Sequence, residues 1–452
     1  MINYDLKVGF SRIGINPPIG VNLRGYFHQR LNEAILDDLE INTVAVQKDG
    51  VTVALVTLDA EAADSAYYEA AREYAAKAAS LDKQAIFIHT THTHVGSCFG
   101  REDGWTNDID REYDSFVMKK IADSIIYAIA DLKPARMGIG FSKAERIGFN
   151  RRYLMKDGST KTNPGVNNPD IVKSIGLLDE RVNVIRFERE CGDNIVIGNY
   201  GNHPDVIGSN KASADWPGFS RRIFEKAIDN VKCVFFNGAQ GDINHVNVKP
   251  VGGDLNGMFN DFDDVTRGYA HARHMGNVVA GALMNVYEKV EFLPVKEISF
   301  MEKVIDVASN KPNPEEMEEA RYIDKMHKAG RDAELPYKAM MLTTMVADAQ
   351  RKIRLENSPE TFPLNLSVIK LGDVAFIGIP GEPFTGIGMG LKEALGWKMV
   401  CPTCLTNGSR GYFPMKDSYD EGGYEAKSSS YKAGVAETII VEGKKILDEL
   451  RK

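Results

Sequence analysis

The chain has 452 residues, 43% of them hydrophobic and 26% charged, which is enough to bury a large core in a soluble globular protein. Its 55 basic and 63 acidic residues give a net charge of −8, and no long basic run departs from that balance. Composition therefore makes nucleic acid and anionic membrane surfaces poor candidates for partners.

Cysteine usage and the apolar pattern indicate the compartment. Five cysteines, an odd and sparse set, do not make a disulfide framework and fit a reducing environment. No apolar window approaches the roughly 20 residues that a membrane helix needs. Residues 1–20 also lack the basic and apolar regions of a secretion signal. We therefore expect a cytoplasmic protein with no membrane span.

Short Val- and Ile-rich runs alternate with helical patterns along most of the chain. The runs at 41–50 and 51–60 predict a hairpin that turns at Asp49-Gly50. This alternation predicts an α/β fold, one large unit of mixed β-sheets with surrounding helices. Helices are predicted at 65–80, 113–133 and 215–228, and further strands at 84–90, 134–142, 183–190, 194–203, 232–240, 364–372 and 374–381.

Residues 313–357 depart from this alternation and predict two helices, each charged on one face, to which we assign no chemistry. No Pro/Ser-rich linker, repeat or low-complexity tract divides the chain. We therefore treat 1–452 as a single domain. At 215–228, Asp215 is expected to cap the helix and Pro217 to lie in its first turn.

Three of the nine histidines fall between positions 89 and 94, directly after a short apolar run. If the strand continues, His92 and His94 point to one face and His89 to the other. That layout suits one metal ligand with a neighbouring acid/base or oxyanion group. The alternative is a Thr/His turn that bonds to its own backbone.

Three further places put a possible ligand where a strand ends and a loop opens. His203 follows an apolar run and precedes a proline, Glu382 lies in a Pro-Gly-Glu-Pro turn, and Tyr412, Tyr419 and Tyr424 share a glycine-rich stretch. Each has a structural explanation: a lone histidine bonds locally, a helix dipole favours a carboxylate, and aromatic rings pack. Taken together, two imidazoles with one or two oxygens suit Zn²⁺ with a water in an open position.

With these segments in view, the chain resembles the neutral ceramidase family, zinc amidases that cleave the N-acyl bond of ceramide. Six stretches are similar to the family's motifs and occur in the same order, from about residue 8 to about residue 430. They are VGFSRIGINPPIGVNLRGYF, THTHVGS, FNRRY, GNHPDV with SADWPGFSRRIFE, GIPGEPFT and GYFPMKDSYDEGGYEA.

The resemblance implies a catalytic-domain fold of the ceramidase type and a set of site residues. In that interpretation Zn²⁺ activates a water, His94 and Tyr424 stabilise the oxyanion or pass a proton to the leaving amine, and Arg151 orients a polar group. His89 is expected to be structural. The implied zinc ligands are His92, His203, Glu382 and Tyr412, and the implied groups around the scissile amide are His94, Arg151 and Tyr424.

The chain also departs from the family. Asn244 stands at the place of a family serine and His245 at that of a proline, so a serine nucleophile is not available there. Hydrolysis by a zinc-activated water does not require that serine. Asp242, Asn244 and His245 either face the substrate or close a turn, and we favour the turn. Cys401 and Cys404 supply only two of four ligands for a second metal and are expected to be structural.

The family's C-terminal immunoglobulin-like domain and secretion signal have no counterpart in this sequence, which disfavours ceramide as substrate. The expected function is zinc-dependent hydrolysis of a soluble amide, such as an N-acylated sugar, amine or amino acid, held in part by the polar loop at 99–108. The alternatives are an esterase, lactonase or lyase with the same metal, and a non-catalytic binding protein. His271 and His274 are expected to face solvent from a helix.

Overall fold

Four layers of secondary structure, helices outside two packed β-sheets, form the protein. The computed structural model describes residues 4–251 and 268–452. One hydrophobic core lies between the larger sheet and a first set of helices, a second between the two sheets, and a third between the smaller sheet and a second set of helices. The prediction of mixed sheets with surrounding helices is confirmed.

The helices predicted at 65–80, 113–133 and 215–228 and both helices of the 313–357 segment are found at or near those places, and the structure adds others. The described helices are α1 (Ser65–Ala79), α2 (Asp108–Ala130), α3 (Asp215–Ala227), α4 (Tyr269–Tyr287), α5 (Met317–Lys328), α6 (Ala339–Leu355), α7 (Thr385–Lys392), α8 (Asp417–Glu421), α9 (Tyr424–Ser428) and α10 (Val435–Arg451).

Nine strands form the larger sheet and four the smaller. The larger contains β1 (Leu6–Gly14), β2 (Glu40–Lys48), β3 (Val51–Leu58), β4 (Ile86–Thr90), β5 (Lys133–Lys143), β6 (Arg181–Arg189), β7 (Asn194–Tyr200), β8 (Val231–Asn237) and β9 (Glu291–Leu293). The smaller contains β10 (Ile298–Ala308), β11 (Thr361–Leu371), β12 (Val374–Gly378) and β13 (Met399–Thr403).

Shorter strands pair in the loops around the sheets. They are Asn22–Leu23 with Arg30–Leu31, Ala34–Ile35 with Lys211–Ala212, Ala62–Ala63 with Cys98–Phe99, Phe149–Asn150 with Ile243–Asn244, Arg152–Met155 with Thr160–Thr162 and Ile171–Ser174, and Glu382–Pro383 with Tyr412–Phe413.

Within the two sheets, three pairs of neighbouring strands are parallel, and each of these pairs is joined through a helix. The larger sheet has the order β8-β7-β6-β5-β1-β2-β3-β4, with β9 on β5, and its outermost pairs β3/β4 and β7/β8 are parallel. In the smaller sheet β12 and β13 are parallel. Helices α1, α3 and α7 make the crossovers. Ligands bind beyond the carboxyl ends of such strands, so these units position the candidate site.

The predicted hairpin of β2 and β3 is confirmed, with Asp49 and Gly50 both at positive φ as a type I′ turn requires. The start of α3 differs from the expectation. Asp215 is the first helical residue, and its carboxylate accepts hydrogen bonds from the backbone N–H groups of Val206, Ile207 and Trp216. It therefore fastens the loop that follows His203.

Candidate metal centre

The candidate ligands converge because each follows one of the parallel strands. His92 and His94 follow β4, His203 follows β7, Glu382 follows β12 and Tyr412 follows β13. The outermost strands of the larger sheet approach each other at this end, where the Asn237 side chain donates to the Thr91 carbonyl over 3.1 Å. Four segments far apart in sequence therefore meet in one place.

His92 and His94 share a side for a reason other than the predicted one. The strand stops at Thr90, and His92 has a φ of 74°, so strand alternation does not apply. A turn, held by the His92 N–H on the Ala60 carbonyl, brings the two Nε2 atoms within 3.1 Å of each other.

Backbone carbonyls fix the orientation of His92 and His203. The Nδ1 of His92 lies 2.8 Å from the Glu61 carbonyl, and the Nδ1 of His203 lies 2.8 Å from that of Gln240. A carbonyl only accepts, so Nδ1 carries the proton in both rings, and in the neutral rings Nε2 presents a lone pair. Metal-ligating histidines are held in the same way by partners behind them.

The two lone pairs face a carboxylate. Glu382 Oε2 lies 3.3 Å from the Nε2 of His92 and 3.2 Å from that of His203. Acceptors at these distances repel unless a proton or a cation lies between them. Tetrahedral Zn²⁺ with bonds of about 2.0–2.2 Å places its ligand atoms roughly 3.3–3.6 Å apart, close to the spacing here. The donor set therefore fits a zinc-like ion.

In the metal-free protein, the pKa values of His92, Glu382 and His203 are shifted by burial and by the charges of the centre. Burial lowers the pKa of His92, but the Glu382 carboxylate outweighs burial and raises it to about 9. Burial disfavours the charged form of Glu382, yet His92 and His203 hold its pKa well below the usual range. Burial and the nearby Arg151 cation lower the pKa of His203. Without the ion, the carboxylate thus favours the protonated form of His92 at the place where a cation would fit.

His94 adds a third imidazole. With His92 and His203 it forms the group of potential ligands whose ligand atoms lie within 4.8 Å of one another, and residues 4–251 and 268–452 contain no second such group. Its Nδ1 lies 3.5 Å from Asp205, whose carboxylate also accepts from the hydroxyl of Tyr26. Burial lowers the pKa of His94, against the influence of Asp205.

Gly25 makes room for the His94 ring. It has a φ of 99°, and a Cβ there would lie 2.5 Å from His94 Nδ1. Sequence reasoning did not single out Gly25 or Asp205, although both lie inside the quoted motifs. The sequence signal for Asp205 was an acidic residue two positions after His203, and the signal for Gly25 was a glycine next to a charged residue in a loop.

The remaining predicted residues surround the same point. Arg151 Nη1 lies 3.5 Å from His203 Nε2, and Nη2 lies 3.1 Å from the hydroxyl of Tyr412. The rings of Tyr412 and Tyr424 meet edge to face with centroids 5.6 Å apart. Burial raises the pKa of both tyrosines, and Glu382 adds to the effect. All seven predicted residues therefore lie together, whereas the Tyr419 hydroxyl bonds to Ser429 and to the Tyr431 carbonyl.

Asp242 and Asn244 use their side chains within the fold. Asp242 accepts from the backbone and hydroxyl of Thr385, and Asn244 donates to Asn163 over 3.0 Å and accepts from the Val246 N–H. These contacts favour the interpretation as a closed turn.

Three predictions about other residues have different outcomes. His89 is buried between the hydroxyl of Thr57 and the N–H of Asn237, which is a structural position. The expectation that His271 faces solvent is wrong, because it is 5% exposed and its ring meets that of His245 at a centroid distance of 5.2 Å. Cys401 and Cys404 are fully buried.

The fold defined by these layers and crossovers is that of the neutral ceramidases. No family model matches the sequence, and no curated protein matches it significantly. The structure of neutral ceramidase from Pseudomonas aeruginosa matches with a TM-score of 0.74 and 16% identity, over 100% of this chain and 75% of that chain. A structure of ceramidase complexed with C2 matches with a TM-score of 0.73 and 16% identity, over 99% and 76%. The expected ceramidase-like fold is confirmed.

Among the described helices, none combines the length and apolar character required to cross a membrane.

Proposed function

We propose that this protein is a metal-dependent hydrolase that cleaves the carbon–nitrogen bond of an amide. The observation that carries the proposal is the convergence of the Nε2 atoms of His92 and His203 on one oxygen of Glu382, at 3.3 and 3.2 Å. A buried set of two nitrogens and a carboxylate is typical of catalytic zinc sites, which keep a position open for water. The ceramidase fold of the chain adds the reaction class.

The proposed ligands are His92, His203, Glu382 and Tyr412, and the proposed metal is zinc. When bound, the ion lowers the pKa of a water and polarises the substrate carbonyl. Tyr412 lies beside His203, with ring centroids 6.5 Å apart, and its hydroxyl is next to the Arg151 cation, which supports its oxygen as the fourth proposed ligand.

The chain's own groups would then handle protons and charge. His94 is neutral because burial lowers its pKa, so its Nε2 can take a proton. Tyr424 stays protonated because burial raises its pKa, so its hydroxyl can donate to an oxyanion or to the leaving nitrogen. Arg151 presents fixed N–H donors to the same region.

The proposed substrate is a small soluble amide rather than ceramide. His94, Arg151, His203 and Glu382 are each at most 9% exposed, and the burial of these side chains supports a compact substrate. A cytoplasmic location and a single catalytic unit over 1–452 complete the proposal. The same centre could act on an ester or lactone, and a substrate panel separates these reactions.

The first test is the metal content of protein purified without added metal. We expect about one zinc per chain in the wild type and background in His203→Ala, followed by turnover of an amide in a panel of N-acylated sugars, amines and amino acids. His271→Asn is the matched control, since it removes a buried histidine elsewhere and should keep the metal. A wild type that binds no zinc even when zinc is offered contradicts the proposal.

A further inference from the structure

Two adjacent arginines, Arg151 and Arg152, each pair with a carboxylate, and the two carboxylates lie four positions apart. Arg151 Nε donates to Glu425 over 2.6 Å, and both side chains are nearly or fully buried. Arg152 donates to Glu421 over 2.9 Å, and the Glu421 side chain is 39% exposed. Only the first of these pairs touches the candidate metal centre, and the second supplies a natural control.

Glu425 determines which way the Arg151 guanidinium faces. With Nε on Glu425 and Nη2 on the Gly241 carbonyl and the Tyr412 hydroxyl, the planar group cannot rotate. Nη1 is left directed at the His203 Nε2, inside the centre. Glu425 makes its hydrogen bonds to Arg151 and to Thr162, whose hydroxyl donates to its second oxygen over 3.3 Å, and neither partner is a proposed ligand.

Water cannot take the place of Glu425 as the partner of the buried Arg151 charge. Removing one member of such a pair leaves the other uncompensated in a low-dielectric site. Arg151 without Glu425 would therefore turn toward the remaining anions, Glu382 among them, and leave its present orientation. The position of Nη1 thus depends on a residue outside the centre.

The helical hairpin of α5 and α6 holds Glu425 in place. Arg351 of α6 donates from Nε to the Lys427 carbonyl of α9 over 2.7 Å and from Nη1 to the Asn310 carbonyl over 2.7 Å. Phe27 packs against the hairpin core and meets the Tyr424 ring edge to face at 6.4 Å. The short helix α9, which carries both Tyr424 and Glu425, is therefore fastened to a hairpin that contributes no side chain to the metal centre.

We propose that Glu425 is the positioning residue of Arg151, and that the α5–α6 hairpin, through Arg351, keeps Glu425 and Tyr424 in their working positions. This inference rests on the proposed hydrolase function for its catalytic consequence. It gives the 313–357 segment a role, namely to assemble the substrate-facing side of the site.

The kinetic test compares Glu425→Gln with Glu421→Gln in zinc-loaded protein. A group that stabilises only the transition state acts on kcat, so we expect Glu425→Gln to lower kcat about 100-fold with KM changed less than about threefold. Glu421→Gln should change neither. In an Arg151→Met background, which leaves no guanidinium to orient, the additional effect of Glu425→Gln should vanish. An equal loss in both backgrounds would overturn the inference.

A second readout does not need turnover. In protein labelled with ¹⁵N-arginine, we expect one strongly hydrogen-bonded, slowly exchanging Nε–H resonance that is absent in Arg151→Met. It should shift in Glu425→Gln and in Arg351→Lys, and stay unchanged in Glu421→Gln and in Arg321→Lys, which alters a hairpin arginine that pairs with the exposed Glu356. An Nε–H signal unaffected by Glu425→Gln contradicts the positioning role, even if no amide proves to be a substrate.

Discussion

Two groups of histidines in this molecule are built from similar parts and have opposite properties. In the first, His92 and His203 face Glu382. In the second, His271 lies between the rings of His245 and His274, at centroid distances of 5.2 and 6.3 Å. Both groups contain buried imidazoles, so burial alone does not distinguish them.

The pKa values of His92 and His271 are shifted in opposite directions. Glu382 raises the pKa of His92 to about 9 in spite of burial, whereas burial and the neighbouring His274 lower the pKa of His271 to about 4. Glu382 thus favours the charged form of His92 in the first group, whereas burial favours the neutral form of His271 in the second. A cluster of histidines therefore indicates a metal site only together with its anion and the backbone carbonyls behind the rings.

The largest expected effect comes from removing a proposed ligand. His203→Ala should lose the metal and lower amide turnover by about 10³-fold or more, because several kcal/mol of transition-state stabilisation come from the ion. Metal analysis and initial rates measure both effects. His271→Asn should keep the metal and the rate, and loss of zinc in that variant would place the metal in the second group instead.

Substitution of His94 tests whether this residue binds the metal or faces the substrate. If His94 faces the substrate, His94→Ala keeps about one zinc per chain and lowers kcat roughly 10²–10⁴-fold, the usual range for a general acid or base. The comparison variant is Tyr412→Phe, which should weaken zinc binding. The reverse result, zinc lost in His94→Ala and retained in Tyr412→Phe, would make the ligand set His92, His94 and His203.

Glu382→Gln tests the source of the raised pKa in metal-free protein. Between pH 6.5 and about 9 the folded wild type keeps a proton on His92 that the unfolded chain releases, so the stabilisation is complete below pH 6.5 and is lost as the pH rises through 9. The loss should amount to about 3 kcal/mol in the free energy of unfolding. Urea unfolding with a chelator at several pH values measures it. A wild type and variant with the same slope would contradict the assignment.

Strand ends were predictable from the sequence because runs of β-branched residues end at Gly, Pro or polar residues. The candidate ligand residues follow directly after these strand ends. The hairpin at Asp49-Gly50 and the positions of His203 and Glu382 follow from such local signals. That these segments meet at one site was predicted from the resemblance to family motifs, because composition does not show which strands are parallel.

The features that the sequence did not reveal are contacts between residues that lie far apart in the chain. Arg151 and Glu425 are 274 positions apart, so their pairing leaves no local pattern. The turn that places His92 at positive φ is held by Ala60. His271 was assigned to an exposed face because the ring that covers it, His245, comes from another part of the chain.

The smallest expected effect comes from His271 in the second group. Its contribution to the free energy of unfolding is lost as the pH falls, whereas that of His92 is lost as the pH rises. The unfolded chain takes up a proton at His271 below pH 6.5, whereas the folded protein does so only near pH 4, so stability falls as the pH drops through that window. Because His271 lies in the first turn of α4, where a helix end relaxes easily, we expect about 2 kcal/mol rather than the full shift. Urea unfolding of His271→Asn at pH 4.5 and 7 should show a smaller difference than the wild type, while its slope above pH 6.5 stays that of His92. Equal acid sensitivity in both proteins would mean that His271 is not what distinguishes the second group from the first.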